Sequence, residues 1–236
     1  LKPLAILIQR EARDEIIFKN AGNYIKGEIT NEKEALDGAI NILAEWISEI
    51  IRVRERLREQ FQRFATANAK VKKGKQSEGE KYSDYFEYSE KVQKMASHRI
   101  LALFRAEKEG IINFSIDVDE ERAIQNITHL INRSYADNSF VKKAILESYK
   151  RILQPNFESE IKKEIKEAAD KESIQVFSEN LKQLLLQAPL GAKNVLAIDP
   201  GFRSGCKVVV LNKNGAFVEN VTIFPHPPQN RKREAE

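Results

Sequence analysis

Two sets of side chains in this sequence have the types and spacing to act on phosphate or on a divalent cation. The first is a single acid, Asp199, placed where the apolar run 195–198 meets Pro200 and Gly201. An apolar run of four to eight residues bounded by turn residues reads as a buried strand. Asp199 then sits at a strand tip, held on rigid backbone, where its carboxylate could be a hard oxygen ligand for Mg²⁺ or Mn²⁺. The plainer reading is a turn, because Asp-Pro-Gly is favourable turn chemistry in its own right. The second set is a run of one-signed charge. Arg52, Arg54, Arg56, Arg58, Arg63, Lys70, Lys72, Lys73 and Lys75 face only Glu55 and Glu59, a local excess of +7 in a chain whose net charge is +4. Such a run is either a solvated helix face with scattered i,i+4 pairs or a surface for phosphates, the usual counter-charge for clustered cations. Arg203 and Lys207 flank Asp199 and could pair with it or with phosphate.

The rest of the composition narrows the alternatives. With 236 residues, 42% of them apolar and 31% charged, the chain is long enough to bury a core in one or two domains. Gly and Pro are scarce until the last fifth, which favours a mainly helical body followed by a different module. The single cysteine, Cys206, excludes an internal disulfide and a cysteine-based zinc site, and fits a reducing cytoplasm. No apolar run approaches the roughly 20 residues needed to span a bilayer. The chain starts at Leu1 without an initiator Met and is expected to be a fragment.

The elements that must position these groups are legible in part. Pro3 can open a first helix, and the Gly- and Asn-containing stretch 20–30 is a loop. Asn31 with Glu34 forms a capping-box pattern. The apolar residues that follow, from Leu36 to Phe64, recur at spacings of three, four or seven and predict one long amphipathic helix over 32–66, with Trp46 beside its stripe. Lys70 to Lys75 is then a flexible basic tail to that helix. Tyr82, Tyr85, Phe86 and Tyr88 could stack on unpaired bases, but their interleaving with acids suits packing better. Ser97 is the expected cap of a further helix that ends at Gly110. His98 beside it is assigned no chemistry. Alternation over 112–118 predicts a half-buried strand whose partner lies within 67–75, a small ribbon on the helical body. Helices follow from Asp119 through Ile131 and from Asn138 or Ser139 through Leu153; so short a pair permits a helix-turn-helix. Pro155 is expected to break the pattern. A helix then carries Phe157 to Ala169 inward and Lys162, Lys163 and Lys166 outward, continuing directly or after a kink near Lys171 to Pro189 and Gly191. Three strands in series complete the chain, the last two joined by the Asn-Lys-Asn-Gly turn at 212–215.

The residues around Asp199 also carry a resemblance. IDPGFRSGCK followed by TIFPHPPQN at 222–230 resembles the YqgF-like, ribonuclease H-like domain of the Tex family of bacterial transcription accessory proteins. AEWISEIIR from Ala44, SHRILALFRAEKEG from Ser97 and ENLKQLLLQAPLGAKNVLAID from Glu179 are similar, in the same order, to that family's central helical region. The resemblance implies residues 1–192 as a helical central region and 193–236 as the first strands of an incomplete α/β YqgF-like domain. It also implies a role in binding RNA or DNA, with helix–hairpin–helix and S1 domains further along family members. In nucleases of that fold several carboxylates from separate elements hold metals, and Asp199 stands where the first would lie. Glu219 falls inside a strand, and Glu234 and Glu236 in a basic tail. The chain is therefore expected to be a nucleic-acid-binding scaffold without an enzyme's carboxylate set and without a cofactor. The alternatives are a metal-dependent nuclease or junction resolvase in the full-length protein, with Asp199 as metal ligand, and a module that docks onto transcription machinery. An uncovered strand edge invites self-association.

Overall fold

The computed structural model describes residues 1–188, 191–201, 203–227 and 230–235. The expected helix end at Pro189, Phe202 within the quoted motif, and Glu236 lie outside the described residues, as does the side chain of Glu234. The chain divides into two compact units, Leu1–Phe177 and Ser178–Glu236. Among the described residues it is mainly α, with two small antiparallel sheets.

The first unit opens with α1 (Lys2–Arg10), with Pro3 in its first turn, and α2 (Asp14–Ala21). α3 (Glu32–Glu49) begins at Asn31, whose Oδ1 accepts the Glu34 N–H at 2.9 Å. Glu34 reaches back to accept the Thr30 N–H at 2.7 Å, so the box closes one residue further upstream than the simple pattern. The expected long helix is in fact two. Ile50, with ψ at 116°, leaves the helical region and serves as C-cap of α3 and N-cap of α4 (Ile51–Phe64). The apolar spacing survives the break, and so did not announce it. Ser48 Oγ donates to the Glu45 carbonyl just upstream, the kind of local bond that competes with helix continuation. The break aims Val53, Leu57 and Phe61 into the core, where all three are fully buried.

The predicted ribbon is a three-stranded sheet of order β2-β1-β3, built from β1 (Thr66–Val71), β2 (Glu87–Lys91) and β3 (Ile112–Asp117). The β1–β3 pairing sets Ala67 opposite Ile116 and Ala69 opposite Phe114, all buried, so one face is apolar and the other polar. β2 is the strand that periodicity missed, since its charged residues alternate with only one large ring, Tyr88. The segment 70–75 is not a flexible tail. It is the end of β1 followed by a turn in which the Lys75 N–H donates to the Lys72 carbonyl and Gly74 takes φ +81°. The 82–88 aromatics pack: Tyr82 is 5% exposed and donates to Glu109 at 2.8 Å, while Tyr85, Phe86 and Tyr88 lie against the core.

α5 (Ser97–Lys108) is capped by Ala96, not Ser97. Ser97 instead turns its hydroxyl onto Glu172, a residue no local pattern could couple to it. Gly110, at φ +75°, terminates that helix. α6 (Glu120–Ile131) is capped by Asp119 and α7 (Ser139–Glu147) by Asn138, each accepting the N–H three residues on. Residues 132–138 join them, and Val141, Ala144 and Ile145 of α7 are buried.

Pro155 does not break the helix. A π-helical segment, Ser148–Leu153, leads without interruption into α8 (Gln154–Leu185). Proline lacks a donor, and its ring collides with the carbonyl four residues back; widening the preceding turn relieves both. α8 also runs through Lys171 as one helix. Its first half buries Phe157, Ile161 and Ala169, whereas Ile174, Phe177, Leu184 and Leu185 are each more than 60% exposed. Lys162 does not point outward with Lys163 and Lys166. Its ammonium lies 3.1 Å from Glu107, 3.2 Å from Glu158 and against the Phe114 carbonyl, while Glu158 accepts the Ile116 N–H. These two α8 side chains close the free edge of β3.

In the second unit β4 (Val195–Asp199), β5 (Cys206–Leu211) and β6 (Phe217–Ile223) form an antiparallel meander. Asn212 Oδ1 accepts the N–H groups of Asn214 and Ala216, and Gly215 takes φ +75°, as the turn signal required. β4 is not buried: Leu196 is 62% and Ile198 56% exposed.

Candidate nucleic-acid interface

The nine cations of the 52–75 stretch do not form one surface. Arg54 and Arg58 point from α4 onto α8. Arg58 grips Glu160 with both arms, at 2.5 and 3.2 Å, and the guanidinium carbons of both arginines lie 5.7 Å from the centroid of the Phe157 ring. The bond from Arg58 holds the Glu160 carboxyl below the usual carboxylate range and raises the guanidinium in turn. These two arginines join helices. Arg56 and Arg63 each lie 3.0 Å from Glu59, one turn away on either side. Lys75 pairs with Glu78.

Four remain: Arg52, Lys70, Lys72 and Lys73 have no ion-pair partner among the described residues, and all but the half-buried Lys72 are exposed. Arg52 lies in the first turn of α4, where the helix dipole disfavours a cation; local helix stability does not account for it. Lys70 projects from the polar face of β1 opposite Glu87 and Asn113, and Lys72 and Lys73 occupy the turn that follows. That polar face carries Asn68, Ser89, Ser115 and Asp117, linked by Ser89 to Asn68 at 2.8 Å and Ser115 to Asp117 at 2.6 Å, beside a groove of about 740 Å³.

Asp199 is exposed at the tip of β4, and its cross-strand partner is Lys207, itself opposite Thr222. Glu219 pairs with Val210, one residue out of phase, and so points to the other face of the sheet from Asp199. Among the described residues no three His, Cys, Asp or Glu side chains converge on a common point. One carboxylate with a lysine beside it does not fit a divalent cation. The loop that precedes β5 leaves little space at Gly205. A Cβ on Gly205 would lie 2.6 Å from the Phe224 ring, and φ there is +81°. Arg203 in that loop and Lys207 are exposed, and neither forms an ion pair among the described residues.

Sequence reasoning missed Arg122, which the fold carries to Arg56 and Arg63 and whose guanidinium lies 5.0 Å from the Phe64 ring. No local signal marks it, because Arg122 follows the cap of a different helix. Among the described residues no helix is long and apolar enough to cross a membrane.

Residues 17–177 match the Tex central region-like family, and residues 193–236 match the Tex protein YqgF-like domain. The uncharacterized protein YdcI of Bacillus subtilis is 38% identical over 240 residues, covering all of this chain and 33% of YdcI. The transcriptional accessory protein Tex of Neisseria gonorrhoeae is 34% identical over 238 residues, covering 98% of this chain and 31% of that protein. A human protein named S1 RNA-binding domain-containing protein 1 is 25% identical over 178 residues, 72% of this chain and 18% of that protein. The chain thus spans about a third of the length of the bacterial relatives.

Proposed function

Because the chain belongs to the Tex family of transcription accessory proteins, we propose that it is a nucleic-acid-binding scaffold that holds the phosphate backbone without reading sequence. The observation that carries this reading is the set Arg52, Lys70, Lys72 and Lys73, which form no ion pair among the described residues while Arg54 and Arg58 in the same stretch are committed to α8. Arg203 and Lys207 on the second unit add exposed positive charge beside Asp199. Nucleic-acid association suits the family's accessory role in transcription, and a relative named for an RNA-binding domain supports the same direction. In this reading 1–192 is the helical scaffold and 193–236 the YqgF-like part. The protein works in the cytoplasm beside transcription machinery and holds nucleic acid without cutting it. The uncovered apolar residues of β4 favour self-association at the sheet edge.

Backbone binding weakens equally for all sequences when its cations are removed. The test is titration of the chain and of the variant Arg52→Gln/Lys70→Gln/Lys72→Gln/Lys73→Gln against labelled single and double strands of unrelated sequence. Weaker binding to every strand supports the reading; unchanged binding removes it.

A further inference from the structure

Phe64 is the last residue of α4, and 48% of it is exposed although Phe61, three residues earlier, is fully buried. It borders a small cavity of about 130 Å³ between α4 and α6, lined by Arg56, Glu59, Arg63, Arg122 and Asn126. Three guanidiniums against one carboxylate leave the lining at +2. Glu59 lies 3.0 Å from both Arg56 and Arg63, which gathers the two guanidiniums at the same cavity. Arg122 has no carboxylate partner among the described residues; its guanidinium lies over the ring of Phe64. The Asn126 amide is held by Gln60 at 2.9 Å, which keeps the floor of the cavity rigid.

A cavity of that volume has room for a tetrahedral phosphate. Arginine forks match phosphate oxygens pairwise, which point-charge lysines do not. A half-exposed aromatic ring at the rim, backed by a guanidinium, is a surface on which any unpaired base can stack. We propose that this α4–α6 pocket binds single-stranded nucleic acid, seating one phosphate among Arg56, Arg63 and Arg122 and stacking the neighbouring base on Phe64. The proposal rests on the backbone-binding reading above and adds a preference for unpaired strands. It places that preference at residues outside the set Arg52, Lys70, Lys72 and Lys73.

The test compares an oligothymidylate with an abasic strand of equal phosphate count, by anisotropy, on the 236-residue chain. The wild type should prefer the oligothymidylate by about tenfold, the contribution of one stacked base. Phe64→Leu keeps apolar volume without a π face and should erase the preference, while Phe64→Trp should retain it. Arg122→Gln should weaken both strands several-fold, and thermal unfolding of each variant shows that the fold is intact. If both strands bind equally to the wild type, or Phe64→Leu keeps the preference, the pocket proposal is overturned and the backbone-binding reading stands. If the wild type binds neither strand, both are overturned.

Discussion

The division of the basic stretch into committed and uncommitted cations makes a quantitative prediction about salt. Each phosphate neutralised on a single strand contributes about −0.7 to the slope of log K against log salt. If Arg52, Lys70, Lys72 and Lys73 each meet one phosphate, they contribute together about −2.8, a loss of about fifty-fold in affinity between 50 and 200 mM salt. Replacing all four with Gln should make the slope shallower by about that amount. The double variant Arg54→Gln/Arg58→Gln removes the same kind of charge from the same helix, but from side chains facing Phe157 and Glu160. It should leave the slope unchanged and cost stability instead, about 1 kcal/mol per arginine from a partly exposed ion pair and cation–π contact. Fluorescence anisotropy across the salt range, paired with urea unfolding, separates the two effects. A double variant that flattens the slope as much as the quadruple one would refute the assignment of Arg54 and Arg58 as structural.

Three further outcomes follow from particular contacts. Glu160, held below the ordinary carboxylate range by Arg58, stabilises the fold above pH of about 4.5 and loses that contribution as pH falls through its lowered value. Glu160→Gln should therefore be less stable by about 0.5–1 kcal/mol at neutral pH, with the gap closing in acid; a gap that persists to acid pH contradicts this. Lys162→Met leaves Glu107 and Glu158 without their cation and the Phe114 carbonyl uncapped, at a cost of about 2 kcal/mol in chemical denaturation; a change within error would show that the edge needs no cap. Tyr149 is 1% exposed, its hydroxyl has no hydrogen-bond partner among the described residues, and burial pushes it up to about 12. Tyr149→Phe should be neutral or slightly stabilising at pH 7. Between pH 10 and about 12 the wild type should fall behind it, because only the unfolded tyrosine ionises there. A loss of stability in Tyr149→Phe at pH 7 would reveal a partner for that hydroxyl.

What the sequence determined by itself is what neighbouring residues decide among themselves. Asn31 with Glu34, Asp119, Asn138 and Gly110 bound their helices, because a cap is a hydrogen bond or a φ angle within a few positions. The meander was legible because its hairpin needs an Asn oxygen and a positive-φ glycine at fixed offsets. The local charge excess was countable. Tertiary structure alone decided which of those charges were spoken for. Arg58 and Glu160 lie 102 residues apart, and nothing near either names the other. The same holds for Lys162 turning inward to β3, Ser97 choosing Glu172 over a cap, and Arg122 arriving beside Phe64. The break at Ile50 and the π segment before Pro155 belong with them. At Ile50 the helix breaks under a periodicity that continues unbroken, and at Pro155 it runs on through a residue expected to end it; in each, burial of a whole helix face outweighs the preference of one residue.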